Sequence, residues 1–127
     1  MRARANRKLE ALAEAIASGN GYFDPDSPLY SARNPGGLRP VSLAHERDEF
    51  GNRVFASLLD GWQALLYDLD VKLSGKSPRV MPTDPLFALA LAYDRHRKVA
   101  GNWVKFLRRA LNDHTLTVDT ALKFFKE

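Results

Sequence analysis

The chain contains no cysteine and only three histidines, His45, His96 and His114, which lie far apart along the sequence. The missing cysteines exclude a disulfide framework and cysteine-based zinc sites, and the scattered histidines argue against a histidine metal site. No apolar run approaches the roughly 20 residues that a helix needs to cross a bilayer. Residues 1–8 are basic and lack the apolar core of a signal peptide, so we expect a cytoplasmic chain as synthesised. We also expect no metal and no cofactor.

What the chain does contain is enough apolar material for one core. It has 127 residues, of which 45% are hydrophobic and 27% are charged. A chain of this size is expected to remove about two-thirds of its unfolded surface from water when it folds. The composition therefore predicts a single domain over residues 1–127, in which the basic residues 1–8 form an N-terminal arm that frays.

Apolar residues recur at helical spacing in five segments. They predict helices at residues 4–18, 58–74, 84–93 and 99–111, and a short last helix capped by Thr117. The second is the strongest, because Ser57 and Asp60 resemble a capping box at its start. Its buried face is predicted to consist of Leu58, Trp62, Leu65, Leu66, Leu69 and Leu73. Five helices with a small β-hairpin at most predict a mainly α single domain.

Residues 22–57 are interrupted by proline and glycine too often for long regular elements. Two short strands, at 38–41 and 53–56, are predicted to pair as a small hairpin. An irregular stretch of this length inside a compact domain is more often functional than idle. The sequence therefore indicates that this region carries the working face of the protein.

The sequence Asn-Pro-Gly-Gly-Leu-Arg at 34–39 predicts a sharp turn within this region. Pro35 fixes its own φ, the residue before it is pushed out of the helical region, and Gly36 and Gly37 tolerate positive φ. Upstream, the first helix is predicted to end with Gly19 or Asn20 in a left-handed conformation. A purely structural turn and a helix cap would have the same composition, so a structural role for both segments stays open.

Three motifs follow one another along the chain: Asn20-Gly21-Tyr22, the turn at 34–39, and Phe55 followed by Asp60-Gly61-Trp62. Their order resembles that of the small lysozyme-like domains of phage virion and cell-wall-degrading proteins, which include lytic transglycosylases. The resemblance implies a lysozyme-like fold, a bacterial cell-wall glycan as partner, and a chain that is virion-associated or released to the envelope. The chain departs from the family at two positions. The family has its catalytic Glu where this chain has Asn20, and it has an Asn where this chain has Gly37.

The first hypothesis for activity is an active muramidase or lytic transglycosylase that uses a different acid. Cleavage of a glycosidic bond needs a proton donor for the leaving oxygen, usually a carboxylic acid. The amide of Asn20 has no titratable proton to give. The acids nearest in sequence are Asp24, Asp26 and Glu14, although the two aspartates also suit ordinary turns and Glu14 suits a solvated helix face.

The second hypothesis, which we favour on the sequence, is a glycan-binding domain with little or no catalytic turnover. Amides, backbone groups and aromatic rings suffice to hold a sugar without cleaving it. The resemblance implies that the substrate-binding residues are Asn20, Tyr22, Asn34, Gly36, Gly37 and Arg39. Tyr30 and Tyr93 are further candidates for stacking against sugar rings.

The third hypothesis is a structural or interaction protein that binds an anionic partner through a basic helix. The formal net charge is only +4, so local clustering of the positive charge is informative. The cluster lies in and before the fourth predicted helix and consists of Arg95, Arg97, Lys98, Lys105, Arg108 and Arg109. Nucleic acid is one such partner, but no helix-turn-helix, zinc finger or aromatic motif supports it. A solvated helix face would have the same charges.

Overall fold

The computed structural model describes residues 6–94 and 97–126, except for the side chains at 94 and 97–99. Over these residues the chain is mainly helical, as predicted, with five α-helices, one 3₁₀-helix and no β-strand. The α-helices are α1 (Arg7–Gly19), α2 (Pro28–Ser31), α3 (Leu58–Leu73), α4 (Leu86–Asp94) and α5 (Arg97–Ala110), and the 3₁₀-helix is Leu122–Lys126. None of the helices in the described ranges combines the length and the apolar character that a membrane span requires.

Helix α1 lies at the centre of the helical body, which we define as α1, α3, α4, α5 and the 3₁₀-helix. It contacts α3, α5 and the 3₁₀-helix, and six of its residues, Ala11, Leu12, Ala13, Ala15, Ile16 and Ala17, are buried. The side chain of Asn6 caps α1 by accepting the N–H groups of Lys8 and Leu9, both at 3.1 Å. Ordered helix therefore begins at Arg7, and residues 1–5 of the predicted arm lie outside the described residues.

Helix α3 begins as predicted, with the Ser57 hydroxyl accepting the N–H of Asp60 at 3.1 Å. Its buried face differs from the prediction, because it consists of Gly61, Leu65, Leu69 and Leu73, while Leu58 is 53% exposed and Trp62 is half-buried. The reason is a tertiary contact. The loop that contains Arg33 packs on Gly61, so the first turn of α3 buries the side that carries Gly61 instead of the side that carries Leu58.

Residues 20–57, which we call the bend region, contain a short helix that the sequence analysis did not predict. In α2, the side chain of Ser27 accepts the N–H of Leu29 and Pro28 stands at the first helical position, which is a favourable start. The two predicted strands do not form. A single antiparallel bridge joins Arg47 to Arg53, because Pro40 lacks an N–H to donate and the chain turns away after it.

The predicted cap of the last helix is also wrong. Thr117 starts a turn instead, in which its hydroxyl accepts the N–H of Asp119 at 3.1 Å. The 3₁₀-helix begins five residues later at Leu122, whose N–H donates to the carbonyl of Asp84 at 2.9 Å. This bond ties the end of the described chain to the start of α4, and Leu122 and Phe125 complete the core.

Candidate functional site

The turn at residues 34–39, which we call the bend, is built around the buried side chain of Asn34. This side chain has no solvent exposure, and it donates to the carbonyls of Leu38 at 2.8 Å and Arg53 at 2.9 Å. Its carbonyl oxygen accepts the N–H of Leu38 at 2.9 Å. Buried backbone groups must find partners, and this one amide satisfies three of them. Asn34 therefore holds the bend together and does not face a ligand.

The bend packs directly on α3, and glycines make the close approach possible. A Cβ atom added at Gly61 would lie 1.9 Å from the carbonyl oxygen of Arg33, which no side chain can occupy. A Cβ atom at Gly36 would lie 2.7 Å from the Cδ1 atom of Leu65. The predicted substrate-binding residue Gly36 is therefore buried between the bend and α3, where its small size serves packing.

The end of α1 contacts the bend through one side chain. The side chain of Asn20 donates to the carbonyl of Pro35 at 3.2 Å. Asn20 itself keeps a right-handed φ of −84°, and the left-handed residue is Gly21 with φ of 72°. The N–H of Tyr22 donates to the carbonyl of Ala17 and that of Gly21 to Ser18, which is the pattern of a Schellman cap. The prediction of the left-handed position was wrong by one residue.

A cleft of about 670 Å³ lies beside the bend, between it and helices α3 and α4. We call it the basic cleft. One wall comes from the bend and the loop after it, and the other comes from α3, α4 and the link between them. Its lining residues are Gly37, Leu38, Arg39, Val41, Arg53, Asp68, Lys72, Arg79, Ala92 and Tyr93.

An ion pair and a hydrogen bond close the floor of the basic cleft between α3 and α4. Tyr93 donates its hydroxyl to Oδ2 of Asp68, and the ammonium of Lys72 forms a salt bridge with the same oxygen. Burial, and then the negative charge and hydrogen bond of Asp68, raise the pKa of the Tyr93 hydroxyl well above its ordinary value. Tyr93 therefore stays a proton donor to Asp68 at neutral pH, and Asp68 acts as an acceptor in both contacts.

Three guanidinium groups surround this floor, and they come from three separate segments: Arg39, Arg53 and Arg79. Arg39 Nη1 donates to the carbonyl of Phe50 at 3.1 Å, and the Arg53 guanidinium carbon lies 4.6 Å above the ring of Phe55. Among the described residues, the salt bridges are Lys72–Asp68 and Lys126–Asp70, so none of the three arginines is paired with a carboxylate. The cleft therefore carries positive charge that its own carboxylate does not neutralise.

The structure divides the predicted substrate-binding residues into two groups. Gly37 and Arg39 line the basic cleft. Asn20, Tyr22, Asn34 and Gly36 do not. Asn34 and Gly36 are buried within the bend, Asn20 contacts it at Pro35, and Tyr22 is buried among other aromatic rings. The N–H groups of Gly37 and Leu38 donate within the bend, to the backbone carbonyl and the side chain of Asn34. The bend therefore offers a ligand its side chains and not these amides.

The predicted aromatic residues separate in the same way. Tyr22 is buried against the rings of Phe23, Tyr30 and Trp62, with ring centroids 5.4, 6.2 and 5.8 Å away. This aromatic cluster is outside the basic cleft. Tyr93 lines the cleft, but Lys72 lies 4.8 Å above its ring and Trp103 packs on it at 6.3 Å. The ring of Tyr93 is thus already in contact with protein side chains, and its hydroxyl contributes to the cleft by holding Asp68.

The three predicted catalytic acids lie in three different places, and none lines the basic cleft. Asp24 accepts the N–H of Asp26 at 2.9 Å in an exposed turn. Asp26 lines a separate hollow with Asp48 and Phe50. Glu14 borders a small apolar depression of about 210 Å³ beside Trp62.

The predicted basic patch is only partly described. Arg95 and the side chains of Arg97 and Lys98 lie outside the described residues. Lys105 and Arg109 are exposed on α5, whereas the Nε atom of Arg108 donates to the carbonyl of Leu116 at 2.7 Å. Arg108 therefore helps to attach the segment after α5, and the described part of the patch has two exposed cations.

Sequence reasoning did not identify Asp68, Lys72, Arg53 or Arg79 as site residues. A weak signal was present, because Asp68 and Lys72 are spaced by four residues on α3, next to the buried Leu69. Nothing in the sequence indicates that Tyr93 of α4 completes this pair or that the segment containing Arg79 returns to the same cleft.

Within residues 6–94 and 97–126, no group of three metal-ligating side chains gathers closely enough to hold a metal ion. The chemistry that the basic cleft offers is that of cationic and hydrogen-bonding side chains. Comparison of the chain with protein-family models, with curated proteins and with solved structures finds no match.

Proposed function

We propose that the chain is a lysozyme-like domain that binds the glycan of the bacterial cell wall in the basic cleft, with little or no catalytic turnover. The observation that carries this proposal is the arrangement around the bend. The end of α1 contacts the bend through the Asn20–Pro35 hydrogen bond, and Gly37, Leu38 and Arg39 of the same bend line an open cleft. The motif at 34–39 therefore borders a concave surface and is supported by the motif at 20–22.

The cleft has the size and polarity for a glycan. Its volume of about 670 Å³ is within the range of small-molecule sites. Sugars are bound through their hydroxyl and amide oxygens, which accept hydrogen bonds from guanidinium and ammonium groups. Arg39, Arg53 and Arg79 supply such donors on both walls. The apolar side chains of Leu38, Val41 and Ala92 supply contact area between them.

Low turnover follows from the lack of a suitable proton donor. General acid catalysis contributes about 10²–10⁴-fold to the rate, and it needs an acid within reach of the leaving oxygen. Among the described residues of the cleft, the single carboxylate is Asp68, and it accepts a hydrogen bond from Tyr93 while it pairs with Lys72. The amide of Asn20 donates to Pro35 and has no acidic proton.

The test is sedimentation of the protein with purified peptidoglycan, combined with measurement of muropeptide release. We expect saturable binding, with release at the level of a protein-free blank. In the variant Ala92→Trp, a large side chain from an exposed position of α4 fills the cleft, and binding should fall to the level of an unrelated protein. Asn102→Trp, at an exposed position of α5, is the matched control and should bind like the wild type.

Circular dichroism and thermal unfolding are the controls that show whether both tryptophan variants are folded. Unchanged binding by a folded Ala92→Trp protein would remove the cleft from the proposal. Release of muropeptides by the wild type, lost in the triple variant Asp24→Asn, Asp26→Asn, Glu14→Gln, would replace low turnover by catalysis through one of those acids. Binding lost on reversing the charges of Lys105 and Arg109 would instead support the basic helix.

A further inference from the structure

We infer that the basic cleft selects glycans that carry carboxylates, and that Arg39, Arg53 and Arg79 receive those carboxylates. The inference rests on the proposed function and adds to it a class of ligand. It predicts that a neutral polymer of N-acetylglucosamine binds weakly, whereas a strand with acidic substituents binds well. In cell-wall glycan, such substituents are the carboxylates of the stem peptides or, on muramic acid from which the stem peptide has been removed, the free lactyl carboxylate.

The first argument is the balance of charge within the cleft. Its described lining contains three arginines, one lysine and one aspartate, and the lysine and aspartate neutralise each other as a salt bridge. None of the three guanidinium groups forms a salt bridge with a carboxylate among the described residues, although Arg39 is also attracted to the carboxylate of Asp48. Like charges that share one concave surface repel each other, and a bound anion relieves this repulsion.

The second argument is the way in which two of the guanidinium groups are held. Arg39 is oriented by its hydrogen bond to the carbonyl of Phe50, which leaves its other N–H groups for a ligand. The guanidinium of Arg53 lies over the ring of Phe55, a cation–π contact that restrains the side chain and uses none of its N–H groups. A guanidinium of fixed orientation loses less side-chain entropy when it binds a carboxylate.

The third argument is the chemistry of guanidinium itself. Its N–H groups match the two oxygens of a carboxylate, and such charge-assisted pairs are roughly twice as strong as neutral hydrogen bonds. A hydroxyl group of a neutral sugar offers no comparable pairing. Segments that are far apart in sequence, near residues 39, 53 and 79, contribute one arginine each. The cleft could therefore contact carboxylates at more than one point along a strand.

The test compares two tetrasaccharides of the same backbone by isothermal titration calorimetry. One is a peptidoglycan tetrasaccharide with its lactyl carboxylates, and the other is chitotetraose, which has none. We expect the acidic sugar to bind about tenfold more tightly or better, since one charge-assisted contact contributes about that factor. Its affinity should fall as salt rises from about 50 to 200 mM, because salt screens the charges.

Substitutions assign the effect to the arginines. Arg79→Gln changes an exposed side chain and should weaken binding of the acidic sugar about tenfold, and binding of chitotetraose clearly less, because the neutral sugar loses only a neutral hydrogen bond. Arg39→Gln should act in the same direction and provides a second, independent variant. Arg109→Gln, which removes an exposed arginine of α5 outside the cleft, is the matched control and should leave both affinities unchanged.

The possible failures are distinct. Equal affinities for the two sugars, both abolished by Ala92→Trp, would overturn the selection of carboxylates and leave the proposed function intact. Absence of binding to either sugar and to peptidoglycan would overturn the proposed function itself. Tighter binding of a glycerol phosphate oligomer than of the acidic tetrasaccharide would overturn the assignment of the ligand, because the cleft would then prefer phosphodiesters of the cell wall.

Discussion

The helical body and the bend region are held together by different forces. In the helical body, fully buried aliphatic side chains such as Leu12, Ile16, Leu69 and Leu107 form one continuous core. In the bend region, one buried amide, Asn34, makes three hydrogen bonds, and glycines allow backbone to approach helix. Large apolar residues there, such as Leu43 at 99% exposure, remain on the surface.

This difference determines what each region tolerates. An apolar core accepts changes of shape at nearly constant volume, because dispersion and burial are not directional. A hydrogen-bonded bend depends on donors and acceptors at fixed positions, so a substitution of equal size can remove its support. The basic cleft has one wall in each region, and its geometry therefore depends on both kinds of stabilisation.

The largest effect is expected at Gly61, where the two regions touch. Gly61→Ala places a methyl group 1.9 Å from the carbonyl oxygen of Arg33, so either the bend or α3 must move. We expect a loss of more than about 3 kcal/mol in the free energy of unfolding, measured by urea denaturation. Gly101→Ala is the matched control, since no described atom lies within 4 Å of its new Cβ. It should stabilise α5 by about 0.5–1 kcal/mol.

The next largest effect compares substitutions of equal size in the two regions. Asn34→Asp removes both donors to the carbonyls of Leu38 and Arg53 and buries a carboxylate beside them, so we expect a loss of about 3 kcal/mol. Leu69→Met, in the helical body, should cost less than about 1.5 kcal/mol because core volume is conserved. Urea denaturation measures both. Equal losses would show that the two regions are not stabilised differently.

A smaller effect is expected at the contact between α3 and α4. Tyr93→Phe removes the hydrogen bond to Asp68 and should cost about 1.5 kcal/mol at neutral pH. Because the pKa of Tyr93 is raised in the folded protein, its hydroxyl contributes stability that is present below the unfolded pKa of about 10 and is lost as pH rises above it. Unfolding curves recorded at increasing alkaline pH should therefore show a steeper loss for the wild type than for Tyr93→Phe.

Tyr67→Phe, at an exposed position of α3, is the control for this measurement and should follow the wild type. Part of the alkaline loss should persist in Tyr93→Phe, because burial, and then the neighbouring Tyr30, also raise the pKa of Tyr22. If the wild type and Tyr93→Phe lost stability in parallel, the buried Tyr93–Asp68 contact would not be coupled to folding.

The smallest effect is expected at the cap of α1. Gly21 has a φ of 72° and no described atom within 4 Å of an added Cβ, so Gly21→Ala introduces only backbone strain. We expect a loss of about 1 kcal/mol by thermal or urea unfolding. Gly21→Asn should lose less, since asparagine tolerates the left-handed conformation better. A loss as large as that of Gly61→Ala would mean that α1 and the bend are coupled more tightly than their single side-chain contact indicates.

Much of the helical body could be predicted from the sequence, because apolar periodicity reports directly on a buried helix face. The starts of α1 and α3 lie within about three residues of their predicted positions, which is the usual uncertainty of such boundaries. Leu58 was misplaced because local periodicity does not reveal that a loop packs on Gly61. The helix α2 was missed, although Ser27 followed by Pro28 is a recognisable helix start.

The site was less accessible to sequence reasoning. The sharpness of the bend follows from its proline and glycines, whereas the hydrogen bond from Asn20 to Pro35 is a tertiary contact without a local signal. The inward direction of Asn34 does not follow, because an exposed and a buried asparagine have the same local sequence. Asp68, Arg53 and Arg79 become neighbours only through the tertiary fold, in which the bend, α3 and the segment before α4 border one cleft, and this arrangement has no local signature.

Both walls of the cleft rest on one helix. Helix α3 contacts the bend through Gly61 and Leu65, and it contacts α4 through the hydrogen bond between Tyr93 and Asp68. The width of the opening between the walls is therefore set by the position of a single helix. We expect the cleft to have the same shape before and after a glycan binds, so the free and bound structures should superpose closely. Related glycans should then differ mainly in their dissociation rates.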